Sequence, residues 1–237
     1  MQYYSAERIQ QLRQRQRNPL GCQIFMLILI VGLAFLIYRY QTGNIVSTKP
    51  HPTIIIADCT GSIHIQAGKT ANQVTIEGWP FSSYQLDQTS NTVTINDCNR
   101  TIIVPTQTNL QIDADAIDVI GVSGQMQLQT NGGSITLAQD TLQGQSSLTN
   151  NGGPIRFSGG LASQATCTFD VNGGSIDIAL PAAATFHIDV TGIISSITSD
   201  FPGVSPQNNE VHADIGISPS AKLKMNVNDS PIILKKM

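Results

Sequence analysis

Apolar and polar residues alternate with period two through most of the chain beyond residue 50, and a short phrase returns between the alternating runs. It reads Asn131-Gly132-Gly133-Ser134-Ile135, then Asn151-Gly152-Gly153-Pro154-Ile155, then Asn172-Gly173-Gly174-Ser175-Ile176, at spacings of 20 and 21 residues. The flanks repeat too. Met126, Ser146 and Cys167 share one column and Leu128, Leu148 and Phe169 the next, while Ile135/Leu137, Ile155/Phe157 and Ile176/Ile178 follow the turns. Period-two apolar flanks at a fixed repeat length predict stacked β-rungs, because one rung cannot bury its apolar face alone. Asn-Gly supplies a positive φ at low cost, and the second glycine removes a Cβ where rungs pass closely. Asn-Gly is also a hairpin signal, but the strict period and the column alignment favour parallel rungs. The expected fold class is all-β, a single-stack β-solenoid of about 20-residue rungs.

The same pattern extends outward from the regular section. Ile54–Ile65 forms a first rung, with Gly61-Ser62-Ile63 matching Gly133-Ser134-Ile135. Val74/Ile76, Val93/Ile95 and Ile112/Ala114/Ala116 continue the alternation. Phe186, Ile188 and Val190 follow Leu180-Pro181, and Met225–Ile232 aligns with Leu148–Ile155. Lys235 and Lys236 near the end would discourage a terminal strand from pairing with another molecule.

A different pattern precedes residue 40, where Ile24–Tyr38 is an unbroken apolar run of 15 residues. Extended back to Leu20 it approaches the ~20 residues a spanning helix needs. Arg8, Arg13, Arg15 and Arg17 precede it. The expectation is a basic cytoplasmic tail over 1–19, a transmembrane helix over 20–40, a stalk over 41–52 and a solenoid over 53–237. The positive-inside bias then places residues 41–237 outside a cell membrane crossed once. A cleaved signal peptide is the rival, but no small-residue cleavage site follows the run.

Charge sharpens this division. Residues 1–40 carry a net +4 and residues 41–237 a net −7, within an overall −3 and only 12% charged residues. The larger part has no Lys/Arg cluster, which argues against nucleic-acid binding.

Taken together, Gly61-Ser62-Ile63-His64-Ile65, Val104-Pro105, the Asn-Gly-Gly-Ser-Ile repeats and Ile178-Ala179-Leu180-Pro181 resemble the putative-adhesin family of bacterial envelope proteins. That resemblance covers about Thr53–Pro202 and implies a glycine-rich stacked β domain in the cell envelope. It implies no catalytic residue, and the chain departs from it in an insertion around Pro202–Pro206.

Candidate chemistry is sparse. Cys167 falls on an inward column and reads as a small core residue. Cys59 and Cys98 both occupy the Asn131 turn position, 39 residues apart. Two rungs at about 4.8 Å each would separate them by roughly 10 Å, beyond disulfide reach, so a bridge requires the intervening segment to loop out. Asp113, Asp115 and Asp118 read as a solvated face, not a calcium site, and His51, His64, His187 and His212 are dispersed. No metal-ligand spacing, nucleophile elbow or phosphate loop is present. The expectation is therefore no catalytic residue, no metal and no cofactor. The functional residues would be structural: the turns at Asn131, Gly132, Gly133, Asn151, Gly152, Gly153, Asn172, Gly173 and Gly174. The expected role is a non-catalytic binding or adhesion module facing a cell-wall polymer or an envelope protein. The alternative is an envelope structural or stress-sensing component that self-associates or acts through its basic tail.

Overall fold

The computed structural model describes residues 19–78, 83–205 and 209–237. The basic tail anticipated over 1–19 lies almost wholly outside them, as does Pro206 of the insertion. The chain divides into two compact units between Thr42 and Gly43.

The described part of the first unit is one helix, α1 (Pro19–Thr42). Its described apolar side chains, among them Phe25, Leu27, Ile30 and Phe35, are exposed. Among the described residues no helix is long and apolar enough to cross a membrane. This corrects the expected transmembrane helix over 20–40 and, with it, the single-pass anchor and the assigned sidedness. The physical reason is length. The unbroken apolar run of 15 residues rises only about 22 Å as a helix, against a hydrocarbon core of ~30 Å, and Gln23 and Arg39 bound it.

The second unit is all β. Its regular part begins with β7 (Asn109–Ile120), β9 (Met126–Asn131), β10 (Ile135–Leu142) and β11 (Gln145–Asn151). It continues with β12 (Ile155–Leu161), β13 (Thr166–Asn172), β14 (Ile176–Leu180) and the long β17 (Ala221–Lys236). One parallel ladder runs β7–β9–β11–β13–β17, with Leu128↔Leu148↔Phe169↔Met225 in register. A second runs β7–β10–β12–β14–β17, with Ile135↔Ile155↔Ile176↔Ile232 in register. Because β7 and β17 belong to both ladders, the eight strands close into a parallel β-barrel.

That closure corrects the single-stack solenoid expected from the repeats. The sequence period is the register offset between neighbouring strands, but it does not show that β7 and β17 run through the corner unbroken. The Asn-Gly-Gly corners interrupt only the middle rungs. At the corresponding places β7 has Ala114-Asp115-Ala116, and β17 has Asn228-Asp229-Ser230 with Asp229 at φ 53°.

Further strands cover the two sides. On β7 lies β2 (Thr53–Gly68), paired along most of its length. Beyond it lie β5 (Thr92–Ile95) and β6 (Arg100–Pro105), each parallel to β2. Antiparallel additions finish this side: β1 (Asn44–Ser47) on β3 (Gln73–Ile76), β3 on β6, and β4 (Tyr84–Asp87) on β5. The short β8 (Ser123–Gly124) pairs with β10. On β17 lies β15 (Phe186–Ser199), and β16 (Val211–Ile215) runs antiparallel to β15. Spatial order thus departs from chain order on both sides: β2 sits between β6 and β7, and β17 between β13 and β15.

One continuous apolar cluster fills the interior, including Ile56, Ile112, Leu128, Leu148, Phe169 and Leu223. The rings of Phe157 and Phe169 lie 6.2 Å apart. Phe186 meets Phe201 edge to face at 5.3 Å, which closes the β15 side. Each such side chain contributes about 1.5–3 kcal/mol on burial.

Candidate functional site

The outward residues of β9, β11, β13 and β17 form registered rows. One row runs Asn131–Asn151–Asn172–Asn228 at the corner. Parallel pairing stacks these identical amides, so each can serve the next: Asn151 Nδ2 donates to Asn131 Oδ1 at 3.3 Å, Asn172 to Asn151 at 2.9 Å and Asn228 to Asn172 at 2.7 Å. The adjacent row holds Gln129, Thr149, Asp170, Asn226 and Thr191. There Thr191 Oγ1 donates to Asn226 Oδ1 at 3.0 Å, and the Asn226 amide donates to Asp170. Together the two rows line a shallow cleft of about 680 Å³.

The glycines beside the ladder set its spacing. Gly132, Gly152 and Gly173 have φ of 94°, 102° and 74°, a region that L side chains rarely adopt. Gly133, Gly153 and Gly174 meet a different demand: a Cβ would fall 1.6–1.9 Å from the backbone oxygen of Asp115, Gly133 or Gly153. Behind the turn, Asn150 accepts from Gly153 N–H at 3.0 Å and donates to the Gly133 oxygen at 2.8 Å.

Cys59 and Cys98 form a disulfide, with Cα atoms 5.5 Å apart. β3 and β4 pair antiparallel with β6 and β5, so β2 and β6 are direct neighbours and no strand lies between them. Cys167 is a buried free thiol, and burial pushes its pKa up to about 12. The three aspartates on β7 do not gather. Asp113 stands opposite Gln129, and Asp118 binds His64 Nδ1 at 2.7 Å. Among the described residues no cluster of His, Cys, Asp or Glu is arranged to hold a metal ion.

Two features were not singled out in the sequence. Asp140 is buried just after a bulge in β10, where Gln139 has φ 62°. Its Oδ1 accepts the Val122 N–H at 2.6 Å, and its Oδ2 has no partner among the described residues. Burial first, against the Val122 N–H, pushes its pKa to about 7. The second feature is a reciprocal pairing of histidines. His187-Ile188-Asp189 on β15 and His212-Ala213-Asp214 on β16 run antiparallel, so each imidazole meets the other triplet's carboxylate. His187 Nδ1 pairs with Asp214, and His212 Nδ1 lies 2.8 Å from Asp189. Two identical His-x-Asp triplets flanking a turn-rich segment were the available signal.

No family model matches the chain, and no curated protein matches it. Two solved structures are similar to it. A "putative cell adhesion protein" from Clostridium sporogenes aligns with TM-score 0.42 and 9% identity, over 82% of this chain and 98% of its own. A "putative adhesin" from Bacteroides fragilis aligns with TM-score 0.30 and 16% identity, over 81% and 95%.

Proposed function

We propose that the chain is a non-catalytic binding module, and that its amide-lined face engages a hydroxyl-rich polymer such as a neutral glycan. The observation that carries this reading is the ladder Asn131–Asn151–Asn172–Asn228. A carboxamide has two N–H donors and two acceptor lone pairs. Each interior amide spends one donor and one acceptor on its neighbours, which leaves one of each. The residual groups repeat at the strand spacing of about 4.8 Å, an interval of the order at which a sugar chain repeats its hydroxyls. The face is shallow, Thr149, Gln129 and Asn226 widen the same polar array, and Asp170 adds one carboxylate to it. Such a surface gains affinity from many weak contacts in register.

The test uses the full chain against immobilised neutral glycans and against intact cell-wall material. Replacing Asn151 and Asn172 together with Ala should weaken retention at least tenfold, with the β-sheet circular dichroism unchanged. Retention unaffected by that double replacement would remove the amide face as the binding surface. Reproducible turnover of a retained glycan would refute the non-catalytic reading.

A further inference from the structure

Beyond the amide face, the outer part of β15, β16 and β17 carries a second cleft, of about 630 Å³, lined by His187, Asp189, His212, Asp214, Lys222 and Lys224. The strand registers place these side chains in two short rows. One row reads Asp214–His187–Lys222 and the other His212–Asp189–Lys224. Both aspartates are engaged by imidazole Nδ1 atoms. Neither Lys222 nor Lys224 forms an ion pair among the described residues, although Asp189 stands opposite Lys224 in register. The acids are thus spent on orienting the rings, and the two ammonium groups remain unneutralised on the cleft wall.

We propose that this cleft is an oxyanion subsite, which takes a phosphate-type or carboxylate group through Lys222, Lys224 and the two imidazoles. Asp214 and Asp189 on Nδ1 fix the two rings with Nε2 turned away from those carboxylates. His187 Nε2 has no protein acceptor among the described residues, while His212 Nε2 lies 3.5 Å from Glu210. Lys222 and Lys224 balance Asp189 and Asp214 in number, so protonation of His212 tips the lining to net positive. Glu210, just before β16, is a further charged group at this cleft, 3.5 Å from His212 Nε2; Asp170 on β13 lies on the neighbouring amide face, where it accepts from Asn226. The hydrogen bond that His212 donates to Asp189, followed by that to Glu210, holds His212 above its usual value. The charged form therefore prevails below that raised value, and anion affinity falls as pH rises through it.

The experiment titrates the full chain with sulfate, whose charge is constant from pH 6 to pH 8, and follows the histidine ring resonances by NMR. The expected result is a saturable shift of the His187 and His212 signals at pH 6, with affinity at least tenfold lower at pH 8. The Lys222→Gln/Lys224→Gln double variant should lose at least tenfold at pH 6 while its backbone spectrum stays folded. Dimethyl phosphate and acetate, tested in the same way, assign the preferred oxyanion. Absence of a saturable shift at pH 6, or a shift that survives the double lysine replacement, overturns the proposal. Sulfate reads this cleft and neutral glycan reads the amide face, so either reading can fail without the other.

Discussion

The second glycine of each turn makes the tightest demand in the fold, and Gly153→Ala tests it. The new methyl would sit 1.7 Å from the Gly133 carbonyl oxygen, a contact between two backbones with no flexible side chain to yield. Real Cβ atoms essentially never come within 3.0 Å of such an atom, so neighbouring rungs must part by more than 1 Å at the corner. Three hydrogen bonds cross or brace that point: Ile135 N–H to Pro154 O at 3.0 Å, Asn150 Nδ2 to Gly133 O at 2.8 Å and Gly153 N–H to Asn150 Oδ1 at 3.0 Å. Stretching two or three of them costs about 1 kcal/mol each, and more where a buried group is left unpaired. The expected destabilisation is about 3–5 kcal/mol, a large share of a typical 5–15 kcal/mol.

Gly173→Ala is the control. No atom lies within 4 Å of its would-be Cβ, so only the positive φ of 74° is strained, at about 1–2 kcal/mol. Urea unfolding of the full chain, followed by far-ultraviolet circular dichroism, measures both. A Gly153→Ala variant no less stable than Gly173→Ala would refute the close-approach reasoning.

Burial of Asp140 makes stability depend on pH in an uncommon direction for an acid. Its folded pKa of about 7 exceeds the ordinary 3.8, so the folded state holds the proton more tightly. Its contribution is complete below pH 4 and is lost as pH rises through 7, by about 4 kcal/mol for a shift from 3.8 to about 7. Urea midpoints should show Asp140→Asn removing that slope between pH 4.5 and 8; an unchanged slope would place its cause elsewhere. The disulfide Cys59–Cys98 closes a 39-residue loop, worth about 4 kcal/mol by chain entropy. Reduction, or replacement of both residues by Ser, should lower the unfolding free energy by that order, and no change in the urea midpoint would contradict it.

What could be read along the chain was whatever repeats locally. The columns Leu128/Leu148/Phe169 and Ile135/Ile155/Ile176 are the observed registers, because parallel strands at a constant offset bury equivalent positions. Met225–Ile232 likewise aligned with the repeat, and β17 does continue both ladders. What could not be read was insertion order. Nothing in the local pattern of β15 or β17 shows that the later strand enters between β13 and the earlier one. For the same reason the expected 10 Å between Cys59 and Cys98 failed: Cys98 sits between β5 and β6, and both of these pair directly with β2, which carries Cys59.

The outward chemistry depends on that hidden order more than the core does. An inward Leu or Ile satisfies the interior beside almost any apolar neighbour, so pattern alone suffices to place it. A polar site needs particular partners. Asn228 extends the amide ladder only because β17 lies directly on β13. Lys222 and Lys224 flank the imidazoles only because the same strand also lies against β15. Were β15 placed on β13 in chain order, His187 would face Thr166 in place of Lys222, and the cleft would lose its two permanent cations. A single insertion of one strand thus extends the neutral row and assembles the charged cleft, which is why neither was legible from residue spacing.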